Sequence, residues 1–284
     1  MFDIDVKNSS EEKVLKFFSQ QTELESVKCR IIFSCSSEFI NTFLLCLLEN
    51  CPKLRYVQLS CCNIILIKND SFKKLIESKL DTLYFSFHEI VLDPNISIND
   101  ISPLNRSLRK LHIDFQMSEK VQLTFLNTFC NLQFLELYHV TDVVLQSIWK
   151  NQINLISLKI LDCDDVSCYG FTGNSKESNS YSISRLQQLE YLEIQSYTFR
   201  NEDVDKIYSN FIFPKLRYIK IDFPTGSSEL YKPIFDIIKG FTSLEAISVS
   251  CSEFSIFTWI EICENFKYLR FLEILHYGSK PRIL

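Results

Sequence analysis

The chain has 284 residues, of which 46% are apolar and 13% aromatic, enough to bury a large core. It contains only five glycines and seven prolines and no low-complexity tract, which argues against a disordered protein. The net charge is −5 and the 30 basic residues are scattered, so the sequence shows no electrostatic footprint for nucleic acid.

The cellular compartment is predicted from the N-terminus and from the cysteines. Met1–Asp5 is acidic and lacks the apolar segment of a secretory signal, and no apolar run is long enough to span a membrane. Eleven cysteines, an odd number without secretory context, predict reduced thiols. We therefore expect a cytoplasmic or nuclear protein with no membrane partner.

A short pattern recurs along the chain: a leucine, two variable residues, an aliphatic residue, one variable residue, and a third apolar residue. A weaker copy begins at Leu24. Nine clear copies begin at Leu54, Leu80, Leu108, Leu132, Leu155, Leu189, Leu216, Leu244 and Leu269. Their mean spacing of about 27 residues lies within the range for leucine-rich repeats.

Each copy predicts a short strand, because its apolar residues alternate with variable ones, followed by a helical return. Segments with helical periodicity lie at 8–20, 38–49, 71–78, 121–129, 142–150, 203–210, 229–239 and 257–265. A single unit cannot bury its leucine face alone, whereas stacked units bury a continuous core. The predicted fold is an α/β leucine-rich-repeat solenoid of nine to ten repeats over residues 1–284. Its curved parallel sheet would line a concave face, with helices on the convex face.

Three segments depart from the regular repeat. Residues 8–20 are predicted to form an outer helix, so the chain is expected to begin in mid-repeat, which suggests either a missing upstream region or a truncated gene model. Residues 169–180 predict a polar loop, either a tolerated surface insertion or a contact with a partner. Only residues 276–284 follow the last strand, and we expect that strand to leave an open sheet edge.

No motif predicts catalysis. The four histidines lie on different repeats without a local nucleophile, and no phosphate loop or metalloprotease or esterase motif occurs. The cysteine spacings do not match a zinc site, so no metal or cofactor is expected. Cys62 and Cys163 fall where a strand should end, and we interpret them as buried thiols that satisfy backbone carbonyls.

The candidate site consists of the variable residues beside the middle aliphatic residue of each strand. These side chains should point away from the core and form one aromatic and one charged column. The predicted partner-binding residues are Tyr56, Tyr84, His112, Phe134, Glu136, Lys159, Tyr191, Glu193, Tyr218, Lys220 and Phe271. Mixed charges favour a protein partner over a polyanion. The alternative is that these aromatic residues simply suit strands and pack on their neighbours.

The stretch Cys51–Cys62 resembles the cysteine-containing repeats of F-box/leucine-rich-repeat proteins, in the style of the expanded fungal families. The resemblance implies a ribonuclease-inhibitor-like solenoid that selects substrates for an SCF-type ubiquitin ligase. In that family an N-terminal F-box docks onto the Skp1 subunit. No F-box precedes the repeats here, so a Skp1-type partner is expected only if an upstream F-box exists. The alternative is a stand-alone scaffold with no link to ubiquitination.

The thiol assignment predicts that neither dithiothreitol nor a chelator changes the melting temperature, because no disulfide or metal contributes to folding. Thermal melts with each reagent test this. A drop with dithiothreitol would contradict the reduced-thiol assignment, and a drop with the chelator would contradict the absence of a metal.

Overall fold

The structure is a computed structural model that describes residues 2–5, 11–31, 36–96, 105–163, 166–172, 181–195, 211–222, 238, 240–251 and 264–276. Contacts between residues divide the chain into two compact units, Met1–Tyr138 (unit 1) and His139–Leu284 (unit 2). Each unit has an α/β fold. Among the described residues, no helix is long and apolar enough to cross a membrane.

Unit 1 alternates strands and helices. Its described elements are β1 (Phe2–Asp5), α1 (Glu11–Phe18), β2 (Ser26–Ile31), α2 (Ser37–Asn50), β3 (Tyr56–Ile67), α3 (Asn69–Glu77), β4 (Thr82–Leu92), β5 (Lys110–Met117), α4 (Glu119–Thr128) and β6 (Phe134–Tyr138). Strands β1 to β6 pair in parallel and in chain order. The helical returns allow this, because a parallel neighbour requires a crossover connection.

Unit 2 follows the same order. Its described elements are α5 (Asp142–Asn151), β7 (Ser157–Leu161), α6 (Cys168–Thr172), a 3-10 turn (Ile183–Arg185), β8 (Tyr191–Gln195), β9 (Tyr218–Asp222), β10 (Ala246–Cys251) and β11 (Phe271–His276). Strands β7 to β11 also pair in parallel and in chain order. The predicted helix 203–210 lies outside the described residues. So do helices 229–239 and 257–265, apart from Ile238 and Glu264–Asn265.

The α/β class, the parallel pairing and helices α1 to α5 confirm the sequence prediction to within a few residues. The register explains why the repeat spacing works. In unit 1, Leu59 pairs with Phe85, which pairs with Ile113 and so on to Leu137. All four side chains are buried. Burying one such side chain is worth about 1.5–3 kcal/mol, so the aligned rows form the core.

Strand β1 was not predicted, and β3 and β4 extend well beyond the repeat pattern. The continuation of β3 is uniformly apolar from Ile64 to Ile67, so no alternation marks it in the sequence. Helix α2 anchors the C-terminal end of β3 through two hydrogen bonds. Ser37 Oγ accepts from Leu66 N at 3.0 Å, and Asn41 Nδ2 donates to Leu66 O at 2.7 Å. These partners are 25 or more residues away in sequence.

The polar loop predicted at 169–180 begins instead with the last four residues of helix α6; residues 173–180 lie outside the described residues. Phe171 is fully buried against Trp149, whose Nε1 donates to Gly170 O at 2.6 Å. A Cβ on Gly170 would lie 2.3 Å from Asp142 Oδ1, so only glycine permits this close approach to α5. Packing of Phe171 on Trp149 and the close approach of Gly170 to α5 therefore position a helical segment where the sequence pattern predicts a polar loop.

Helix α5 offers a matched test of the core. Val144 is fully buried, whereas its neighbour Val143 is 52% exposed. We expect Val144→Ala to lower the free energy of unfolding by about 2 kcal/mol, because it removes buried methyl groups and leaves a cavity. Val143→Ala should change it by less than about 0.5 kcal/mol. Urea denaturation of both variants measures the difference, and equal losses would contradict the orientation of α5.

Candidate functional site

In each unit, one face of the paired strands carries side chains that alternate with the buried core residues; we call it the outer face. In unit 1 the register places Tyr84 beside His112 and His112 beside Glu136. Lys110 lies beside Phe134 in the neighbouring column. Unit 1 thus brings these predicted site residues together across strands β4 to β6, because parallel strands lie about 4.8 Å apart.

The centre of the outer face of unit 1 is a stacked pair of rings. Tyr84 and His112 lie parallel, with ring centroids 3.7 Å apart and planes 7° apart. His112 Nδ1 lies 2.8 Å from Glu136 Oε2, and its Nε2 is buried without a hydrogen-bond partner in the described part of the chain. The imidazole is therefore fixed on one side by stacking and on the other by a carboxylate.

Phe134 is the exposed aromatic residue of this face. Its ring lies under the ammonium group of Lys110, 4.7 Å from Nζ, a cation–π contact. The Phe134 side chain is nevertheless 36% exposed. Tyr56, on β3, donates to Gln58 Oε1 at 2.7 Å and is only partly exposed.

Unit 2 carries a similar ring pair. Tyr191 and Tyr218 stack with centroids 4.3 Å apart and planes 4° apart. Tyr191 donates its hydroxyl hydrogen to Glu193 Oε2 at 2.8 Å. Burial and this hydrogen bond raise the pKa of the Tyr191 phenol far above its ordinary value. Tyr191 therefore remains protonated, and a hydrogen-bond donor, at any physiological pH.

Glu193 is the electrostatic centre of the outer face of unit 2. Lys220 Nζ lies 2.8 Å and Lys159 Nζ 3.5 Å from its carboxylate oxygens. Burial by itself raises the pKa of Glu193, but the hydrogen bonds from Lys220 and Tyr191 and the charges of both lysines outweigh burial. The pKa consequently lies below its ordinary value. A carboxylate with only 6% exposure thus stays ionised, since it has three partners.

Phe271 lies apart from the tyrosine pair, on β11, with Ala246 of β10 between it and Tyr218. It is 50% exposed. Each unit therefore brings part of the predicted set into one contacting cluster: Tyr84, His112 and Glu136 in unit 1, and Lys159, Tyr191, Glu193, Tyr218 and Lys220 in unit 2. The contacts of Tyr84, Tyr191 and Tyr218 match the alternative interpretation, packing on strand neighbours, whereas Phe134 and Phe271 keep exposed apolar surface.

The prediction that Cys62 and Cys163 are buried thiols at the ends of strands is confirmed for one residue and wrong for the other. Cys163 is fully buried and its Sγ donates to Gln195 O at 3.1 Å, which is the predicted role. The prediction for Cys62 is wrong: β3 does not end there, and Cys62 is exposed. It lies beside a shift of register between Cys61 and Ile64, and because Cys61 is buried, the alternation of strand side chains places Cys62 on the opposite, exposed face.

A recess that the sequence does not predict lies beside this shift of register. The recess has a volume of about 530 Å³ and is mostly apolar. Its walls come from β2, β3 and β4 and consist of Arg30, Ile31, Ser60, Cys61, Cys62, Ser86 and His88. No sequence signal marks the recess, because its walls come from three strands that lie side by side only in the folded sheet.

Groups of three or more potential metal ligands were sought among the described residues and none is present there. Comparison of the sequence with models of protein families and with curated proteins finds no match. Function is therefore inferred from the geometry of the outer face and from the repeat pattern.

Glu193 predicts a pH-dependent stability. Because its folded-state pKa is lowered, it stabilises the protein at pH values above its unfolded pKa of about 4.3, and this contribution is lost as the pH falls through the folded value. At pH 7 we expect Glu193→Gln to lower the free energy of unfolding by about 1–2 kcal/mol. This is less than the loss from breaking a fully buried ion pair, because both lysines are partly exposed.

Urea denaturation at pH 7 and pH 3 measures this effect. The difference between the wild-type protein and Glu193→Gln should narrow at pH 3, because protonation of the unfolded carboxyl below its pKa removes part of the advantage of the ionised folded carboxyl. Glu264→Gln, an exposed residue of the same unit, is the control and should show no such change. An unchanged difference for Glu193→Gln at the two pH values would contradict the assignment.

Proposed function

We propose that this chain is a leucine-rich-repeat protein, ribonuclease-inhibitor-like in fold, whose outer sheet face recognises a protein partner. The repeat spacing of about 27 residues and the parallel strand order support this fold. The observation that carries the functional proposal is the row of aromatic and charged side chains held across neighbouring strands of each unit. Such residue types supply most of the binding energy at protein interfaces.

The ring pairs favour binding because they are already ordered. Tyr191 stacks on Tyr218 and donates to Glu193, and Tyr84 stacks on His112. A partner that docks on these rings does not have to immobilise them, which reduces the entropic cost of association. Their mutual contacts are thus compatible with recognition, although they reduce the area that each ring exposes.

The exposed aromatic residues are the best candidates for anchors. Phe134 and Phe271 are 36% and 50% exposed. In the register of the sheet, Phe134 lies beside Lys110 and Phe271 beside Ala246 of the neighbouring strand. Exposed rings beside paired charges are typical of an interface with an apolar centre and a polar rim.

The charges of the outer face favour a protein over a polyanion. In unit 2 the carboxylate of Glu193 lies between Lys159 and Lys220, and in unit 1 Glu136 lies against His112. Nucleic-acid binding relies on many basic groups facing phosphates, whereas here each unit places a carboxylate at the centre of the face. A protein surface with mixed charges can complement this pattern.

A more specific version follows from the resemblance of Cys51–Cys62 to F-box/leucine-rich-repeat proteins. In this version the chain is the substrate-selecting part of an SCF-type ubiquitin-ligase adaptor. The alternative is a stand-alone scaffold without a link to ubiquitination. Co-purification of Skp1 with the product of the full-length locus, and ubiquitination of the bound partner, would support the adaptor; a partner bound without either would favour the scaffold.

A matched pair of phenylalanines tests recognition by the outer face of unit 1. Phe134 lies on this face with 36% exposure, and Phe17 lies on helix α1 with 41% exposure. We expect Phe134→Ala to weaken partner binding by about 2 kcal/mol, roughly 30-fold in Kd, and Phe17→Ala to leave it nearly unchanged.

The measurement is calorimetric titration of a purified partner that the wild-type chain captures from its native cells. Thermal melts of both variants check that the fold is intact. Loss of binding with Phe17→Ala, together with normal binding by Phe134→Ala, would place the interface on the helices and contradict the proposal.

A further inference from the structure

The residues that directly precede four strands of unit 2 alternate in charge. Glu190 precedes β8, Arg217 precedes β9, Glu245 precedes β10 and Arg270 precedes β11. Because these strands are neighbours in register, the four side chains form a row along the amino ends of the strands, outside the outer face described above.

The pairing within this row is unequal. Arg217 donates from Nε and Nη2 to the two carboxylate oxygens of Glu245, at 2.9 and 3.1 Å, and lies 3.9 Å from Glu190. The hydrogen bond from Arg217 lowers the pKa of Glu245, whose charge is thus committed to that partner. Arg270 reaches the same carboxylate only at 4.0 Å, and its side chain is 81% exposed.

An open cleft of about 480 Å³ lies along the row. Besides the four charged residues, its walls consist of Pro214, Lys215, Thr242, Ser243 and Tyr268. Lys215 donates to the neutral side chain of Gln188, so its charge is not offset there. The three cations and two carboxylates of the walls leave one positive charge in excess, in a chain whose net charge is −5.

We propose that this cleft binds an acidic segment of a protein partner, with one carboxylate held by Arg270, a second near Lys215, and an apolar side chain placed against Tyr268. A guanidinium group binds carboxylates through two parallel hydrogen bonds, and its high exposure leaves that edge accessible. Tyr268 is 67% exposed and supplies the apolar surface that such a segment needs. Tyrosine and arginine are also the residue types enriched at binding hot spots.

The two carboxylates of the cleft determine the class of partner. Glu190 and Glu245 would repel the closely spaced charges of a nucleic-acid backbone, which requires many cations on one surface. A peptide that carries one or two acidic residues beside an apolar one can place its charges at Arg270 and Lys215 only. This surface lies outside the outer face, so its partner contact is additional to the function proposed above.

Binding of two short labelled peptides tests the proposal. Both peptides carry the same fluorescein label and an amidated C-terminus; one is Gly-Asp-Phe-Glu-Gly, and the other is Gly-Asn-Phe-Gln-Gly, whose side chains are uncharged. Measured by fluorescence polarisation at low salt, the acidic peptide should bind the full chain at least about tenfold more tightly, and the difference should shrink at high salt. Equal affinities for the two peptides would overturn the proposal.

Charge variants identify the surface. Arg270→Glu and the milder Arg270→Gln should each lower the affinity for the acidic peptide, the former by about tenfold or more. Lys267→Glu is the matched control, because Lys267 is an exposed cation of the same segment that does not line the cleft. Lys267→Glu changes the net charge by the same amount as Arg270→Glu and should change the affinity for the acidic peptide by less than about twofold. An equal loss with Lys267→Glu would show general electrostatic attraction, and no loss with either Arg270 variant would place the peptide away from the cleft; either result would overturn the assignment.

Circular dichroism of each variant checks the fold. Phe134→Ala should leave peptide binding unchanged, since it lies on the outer face of unit 1. This control separates the cleft from the function proposed for the outer face, and each can fail without the other.

Discussion

The structure depends on one constraint, the parallel register that aligns equivalent residues of successive strands. Side chains of a strand alternate between two faces, so a register that places Ile160 beside Ile194 in the core also places Lys159 beside Glu193 on the outer face. Burial of the apolar row supplies most of the stabilisation. The same register therefore brings together residues that lie 24 to 34 positions apart in the sequence, from 134 − 110 for Phe134 and Lys110 to 193 − 159 for Glu193 and Lys159, and any function of the outer face follows from the core.

The outer face is more ordered than a set of exposed side chains. Tyr191, Tyr218, Glu193 and Lys220 satisfy one another through stacking, a hydrogen bond and an ion pair. This arrangement limits the apolar area available to a partner, but it also avoids the entropic cost of ordering these groups on binding. Such a surface discriminates between partners through shape and charge more than through area.

Charge is arranged by the same repeat at the amino ends of the strands. Arg109 lies 3.7 Å from Asp81 in unit 1, and Arg217 pairs with Glu245 in unit 2, each pair one repeat apart. Exposed pairs of this kind contribute little to stability, because water and salt screen them. In the recognition proposed above, an alternating row leaves few cations without a committed carboxylate, and a partner would have to match those positions.

The sequence by itself determined the α/β class, where strands β2 to β11 begin, the face on which their repeat residues lie, and helices such as α2 and α5. These follow from local periodicity, which a sequence displays directly. It also predicted the members of the outer face, but not that Tyr84 would stack on His112. Only the tertiary structure decided the extension of β3, helix α6 and the exposure of Cys62, because their hydrogen-bond or packing partners belong to neighbouring repeats. Asn105 illustrates the reason: its buried amide donates to Ile76 O and Ser78 O, partners 29 and 27 residues away that no local pattern reveals.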